Sequence, residues 1–152
     1  MREVPMDFDT SVKQAVYTLV ANAGEMPDAS RVAVEVGAGI AEVEDAFARL
    51  YKKRILVPEP GDRSRIRMAA PFSGVPTSFL VKAKGNAYFA NCVWDALGVL
   101  AAFHVDGVVE ASDGHTREPM TLEIHGGSPI PIECVIHFAV PVAQWWDDMI
   151  HT

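Results

Sequence analysis

At 152 residues, with 49 % hydrophobic and 22 % charged side chains, the chain suits one compact domain or two small subdomains sharing a core. A net charge of −7 argues against a protein built to neutralise phosphates, so nucleic acid is not an expected partner without a local basic patch. The start, "MREVPMDFDTSV", has no apolar signal core, and the longest apolar run carries Asn91 and Asp95; no membrane span is expected, and a cytoplasmic location follows by default.

Asp9, Thr10 and Ser11 offer caps for a first helix, along which Val12, Ala15, Val16, Leu19 and Val20 recur at helical spacing. Ser30 is a candidate cap for a short second helix, "RVAVEV", which ends at Gly37-Ala38-Gly39. A third helix is predicted from Ile40 to Lys53, with Val43, Ala46, Phe47 and Leu50 on one face. "RILVPEPGDRSRIRMA" then reads as two strands around a Pro-Gly-Asp turn. Three helices and a hairpin outline a winged helix over residues 1–70. Its third helix leads with Glu42, Glu44 and Asp45, which suits a scaffold better than a DNA reader. The best basic candidates are Arg63, Arg65 and Arg67 on the hairpin.

"PFSGVPTS" reads as a link into residues 71–152. There "FLVKA" is a strand and "KGN" a turn, with Asn86 a candidate cap for an apolar helix from Ala87 to Phe103. "GVVEAS", "PMTLEI" and "IECVIHFAV" are predicted strands, and "PVAQWWDDMI" a short closing helix with Pro141 in its first turn. The fold class is therefore α+β: a winged-helix-like unit, then a small, mainly antiparallel sheet packed on a central apolar helix.

Cys92 and Asp95 are three apart in that apolar helix, so one face would carry both. Burial raises a carboxylate's pKa unless a cation or donors compensate, and a protonated Asp95 would sit more easily beside a thiol than its anion. Cys134, Ile136 and Phe138 would share the core face of the "IECVIHFAV" strand, so the two thiols could meet. In the cytosol they are expected as thiols, not as a disulfide. The plainer alternative is two buried cysteines acting as small hydrophobes near a hydrogen-bonded Asp. A zinc site from Cys92, Asp95, Cys134 and His137 has workable spacing on paper, but a strand would point His137 away from Cys134.

At these residues the sequence resembles the organomercurial (alkylmercury) lyases. "YFANCVWDALGVLAAF" is similar to that family's aromatic-rich Cys-x-x-Asp helix. "ECVIHFAVPVAQWW" is similar to the segment in which a second cysteine precedes an His-Phe pair, a Val-Pro step and a tryptophan, and "EPMTLEI" to the strand between them. The resemblance implies protonolysis of a carbon–mercury bond. Cys92 and Cys134 would bind the mercury, Asp95 would deliver the proton to carbon, and Hg(II) would rest transiently on the cysteines with Asp95 nearby. It implies no organic cofactor. The implied partners are a small organometal substrate and low-molecular-weight thiols, or a mercury-accepting protein, that remove the product. This sequence is shorter than family members, so a homodimer partner is one source of a pocket wall. A reading from another class keeps the same cysteines in a soft-metal sensor, whose winged-helix half contacts DNA or a partner.

Overall fold

A computed structural model describes residues 7–130 and 133–147. Helix α1 (Phe8–Ala23) starts one turn ahead of the expected caps. Asp7 is its N-cap, its carboxylate accepting from the Asp9 amide at 3.1 Å. Asp9 is instead buried inside the helix and paired with Arg49 at 2.7 Å and Lys53 at 3.0 Å. Helix α2 (Ala29–Val36) is likewise capped by Asp28 rather than Ser30, whose hydroxyl donates to the Asp28 carboxylate at 2.6 Å. In both cases an aspartate just upstream supplies the stronger acceptor. Helix α3 (Ile40–Lys52) forms as expected and buries Val43, Ala46, Phe47 and Leu50 against α1 and α2.

The ion pairs of Asp9 join α1 to the end of α3. Its hydrogen bond from Arg49 above all, with that from Lys53, outweighs burial and holds its carboxyl below the ordinary 3.8. A lowered carboxyl stabilises the fold above its unfolded value, and that contribution is lost as the pH falls through the lower folded value. Asp9→Asn is therefore expected to cost about 1 kcal/mol near neutral pH, because both cations are half exposed. Thermal melts should show a gap of about 2–4 °C that closes at the acid edge of the folded range.

Strands β1 (Val57–Glu59) and β2 (Asp62–Ala69) make the hairpin. The expected link is partly structured: β3 (Phe72–Ser73) pairs with the end of β2, giving a three-stranded antiparallel sheet. Two of the three hairpin arginines are engaged, Arg63 with Asp45 at 2.6 Å and Arg67 with Glu59 at 3.2 Å. That leaves little free positive charge on this face for phosphates.

The second sheet runs β5-β4-β6-β7-β8, antiparallel throughout, from β4 (Leu80–Ala83), β5 (Asn86–Phe89), β6 (Gly107–Ser112), β7 (Pro119–His125) and β8 (Ser128–Pro129). Val81 opposes Tyr88 and Val109, and Val109 opposes Leu122, so these side chains share the inner face. Helix α4 (Val93–Phe103) lays Ala96, Val99 and Leu100 on that face.

Three expectations fail here. Asn86 caps no helix; it opens strand β5, because Lys84-Gly85 turns the chain tightly back and "NAYF" pairs with β4. The apolar helix consequently begins at Val93, and its outer side is solvated, with Trp94, Ala101 and Ala102 exposed. "IECVIHFAV" is not a strand either: over residues 133–140 the chain is irregular and exposed, with Val140 partly covered. The sheet ends at β8, where Pro129 and the following Pro131 offer no N–H to a further ladder. Beyond it Pro141 precedes a single 3-10 turn, Val142–Gln144, where a closing helix was expected; residues 148–150 of that expectation lie outside the described residues.

Each half has its own core, and Tyr17 and Met26 pack against both. Phe72 packs on Tyr17 of α1, Tyr88 of β5 and Phe103 of α4, with centroids 6.4, 5.6 and 5.9 Å apart. The Tyr88 hydroxyl donates to the Ala21 carbonyl at 2.7 Å. Gly24 closes α1 at φ 78°, and a Cβ there would stand 2.7 Å from the Ala87 carbonyl oxygen. Only glycine allows that turn and that approach together.

Candidate active site

The head of α4 carries the site. Strand β5 ends at Phe89, Ala90 bridges to Phe72, and the chain bends at Asn91-Cys92 before the helix starts. Cys92 is not inside the helix but is its N-cap, in extended backbone at φ −152°. Its Sγ accepts from the Asp95 amide at 3.5 Å. Cys92 thus stands as a sulfur N-cap with the acid at the third helical position, the Asp95 carboxylate accepting from Asn91. The three-residue spacing does bring thiol and carboxyl together, through the cap rather than through a shared helix face.

Both groups are partly buried. Burial pushes the Asp95 carboxyl above its ordinary value, opposed by a hydrogen bond from Asn91. Burial also pushes the Cys92 thiol up, and the negative charge of Asp95 adds to this; the Asp95 and Trp94 amides work the other way. The negative charge of Asp95 repels a thiolate at this sulfur, so of the pair's charge states two adjacent anions are the least favoured, and a single proton rests on the thiol. The helix N-terminus, through those amides, opposes the rise of the thiol without reversing it.

Asn91 is the residue that sequence reasoning passed over. Its Nδ2 donates to Asp95 Oδ2 at 2.8 Å and to the Phe72 carbonyl at 3.3 Å. An amide four residues before a carboxylate was the available signal. Tyr17 was missed too: its hydroxyl donates to the Ala70 carbonyl at 2.9 Å, and its pKa is raised by burial and then by the charge of Asp95. No local pattern links α1 to that acid.

Cys134 is exposed rather than core-facing, in a segment that pairs with no strand among the described residues. The segment still returns to the site. Phe138 meets Trp94 of α4 edge-on at 6.4 Å and Trp145 at 5.4 Å, and Trp145 Nε1 donates to the Val140 carbonyl at 2.9 Å. Arg54, just past α3, lies over the Trp146 ring at 5.9 Å. Among the described residues no three His, Cys, Asp or Glu side chains gather as a metal cage, so the zinc arrangement with His137 is not formed. Likewise Cys134 is not gathered with Cys92 and Asp95 into one such group.

The fold and site together define an α+β protein with a thiol–carboxyl pair at the head of a helix seated on an antiparallel sheet. Residues 72–152 match the alkylmercury lyase family, more than half of the chain, and the chain belongs to that family. It is also similar in fold to a solved structure, the mercury-bound form of MerB2, at a TM-score of 0.62 and 20 % identity over 80 % of this chain. The chain spans 59 % of the length of that protein. No curated protein matches it. None of its described helices is long and apolar enough to cross a membrane.

Proposed function

We propose that this protein is a carbon–mercury lyase that splits organomercurials by protonolysis. The observation that carries the proposal is the Cys92–Asp95 pair at the head of α4, inside the segment that matches the family. Mercury is soft and prefers thiolate. The Asp95 carboxylate takes the Cys92 proton as the sulfur displaces the thiolate that carries R–Hg, giving Cys92–S–Hg–R. Cys134 gives its proton to the displaced thiolate and adds a second sulfur, which raises electron density on the carbon. The Asp95 carboxylic acid then gives its proton to that carbon; the C–Hg electron pair becomes the C–H bond, and R–H leaves. Nothing is oxidised or reduced. Hg(II) stays on sulfur until two low-molecular-weight thiols take it and their two protons restore the two cysteines, leaving Asp95 as the carboxylate.

The role of Cys134 is supported by the return of its segment to α4 through Phe138 and Trp94. Those rings and Trp145 form an aromatic surface at the start of the helix, suited to the organic group of the substrate. With phenylmercury and excess thiol the protein is expected to release benzene well above a thiol-only control, measured by gas chromatography. Benzene at the control level would sink the proposal.

A further inference from the structure

The Asp95 carboxyl does not hang free at the head of α4. Both protons of the Asn91 amide nitrogen are committed, one to Asp95 Oδ2 and one to the Phe72 carbonyl. The Asn91 Oδ1 is buried without a hydrogen-bond partner among the described residues. An unpaired buried acceptor is unfavourable, so the two donor contacts must hold the amide this way round. Flipping it would set Oδ1 against the Phe72 carbonyl, which has no proton to give. Phe72 is itself fixed: it is 4 % exposed, its strand pairs with β2, and its ring is packed among Tyr17, Tyr88 and Phe103.

We propose that Asn91 is a positioning residue that hangs the Asp95 carboxyl from the Phe72 carbonyl, so that β3, held by its pairing with β2, sets where the acid points. With Oδ2 held by the amide, Oδ1 of Asp95 is left to carry the proton to the substrate carbon. The three-stranded sheet thereby acquires a task in the chemistry without touching substrate. The catalytic consequence rests on the lyase reading; the hydrogen-bond arrangement does not.

The two can be tested apart. In nitrogen-edited NMR of the wild-type protein, the Asn91 side-chain amide should give two exchange-protected proton signals, and Asp95→Ala should shift them. Asn91→Leu keeps the shape and removes the donors. It is expected to lower kcat about 10- to 100-fold, the scale set by misplacing a reacting group by about 1 Å. KM and Hg(II) retention should stay within about twofold. Amide signals that Asp95→Ala leaves unmoved would overturn the proposal. So would a wild-type kcat in Asn91→Leu, or a parallel loss of kcat and mercury retention. If the wild type releases no hydrocarbon, the lyase reading falls, while the amide signals still decide whether Asn91 holds Asp95.

Discussion

Asp95→Asn is expected to reduce hydrocarbon release by about 10²- to 10⁴-fold, the range ordinarily supplied by a positioned acid. The same change should make the protein more stable near neutral pH. Burial raises the carboxyl of Asp95 in the folded state. The folded state therefore binds this proton more tightly than the unfolded chain does. That advantage is present in acid and is lost as the pH rises from the ordinary 3.8 through the higher folded value. Above it, the anion at this site only opposes folding. An asparagine has no charge to bury, and its side-chain oxygen can still accept from Asn91. A gain of about 1 kcal/mol is expected, as is common when a functional site is relieved of a strained group. Thermal midpoints of the two proteins should coincide in acid and separate by about 2–4 °C near neutral pH. A variant that still releases hydrocarbon at the wild-type rate would remove Asp95 from the chemistry. A gap of the opposite sign would mean that donors outweigh burial at this carboxyl.

How much of this was legible in the sequence depends on the range of the interaction. Helix α3 and the hairpin follow from Val43, Ala46, Phe47 and Leu50 at helical spacing and from the Pro60-Gly61 turn, both local signals. The strands "GVVEAS" and "PMTLEI" were likewise written in their own residues. The start of α4 was not. "NAYF" is apolar and continuous with the helix in sequence, and only its pairing with β4 assigns it to the sheet. That one tertiary fact moves Cys92 from helix interior to cap and so changes how thiol and acid meet. Cys134 shows the converse. Its alternating apolar neighbours satisfy a strand pattern, yet after Pro129 and Pro131 no ladder is available to it. The alternation survives only as exposure: Val135 is 90 % exposed, while Ile136 and Phe138 are near 40 %. Asn91 and Phe72 join across 19 residues, and Tyr17 reaches the site from α1, so neither partnership leaves a periodic trace.

Cys92→Ser separates the cap from the proposed mercury ligand, both carried by the same atom. Cys92 Sγ caps α4 by accepting from the Asp95 amide at 3.5 Å, a long contact to a weak acceptor. Serine is among the preferred N-cap residues, and its oxygen makes a shorter, stronger bond. The variant should therefore fold at least as stably as the wild type, with α4 intact. Its mercury chemistry should nevertheless fall to the thiol-only control, because a serine hydroxyl is neither soft nor ionised near neutral pH. Cys92→Ala makes the contrast complete. It loses the mercury ligand as well, and also the cap, at a cost of about 1 kcal/mol. Two variants with the same chemical defect and opposite stability shifts would assign the cap and the metal to one sulfur. If instead both variants lose stability alike, Cys92 holds the fold by packing rather than by its bond to Asp95. If Cys92→Ser still releases hydrocarbon at the wild-type rate, the sulfur that binds mercury lies elsewhere, and Cys134 is the thiol left to supply it.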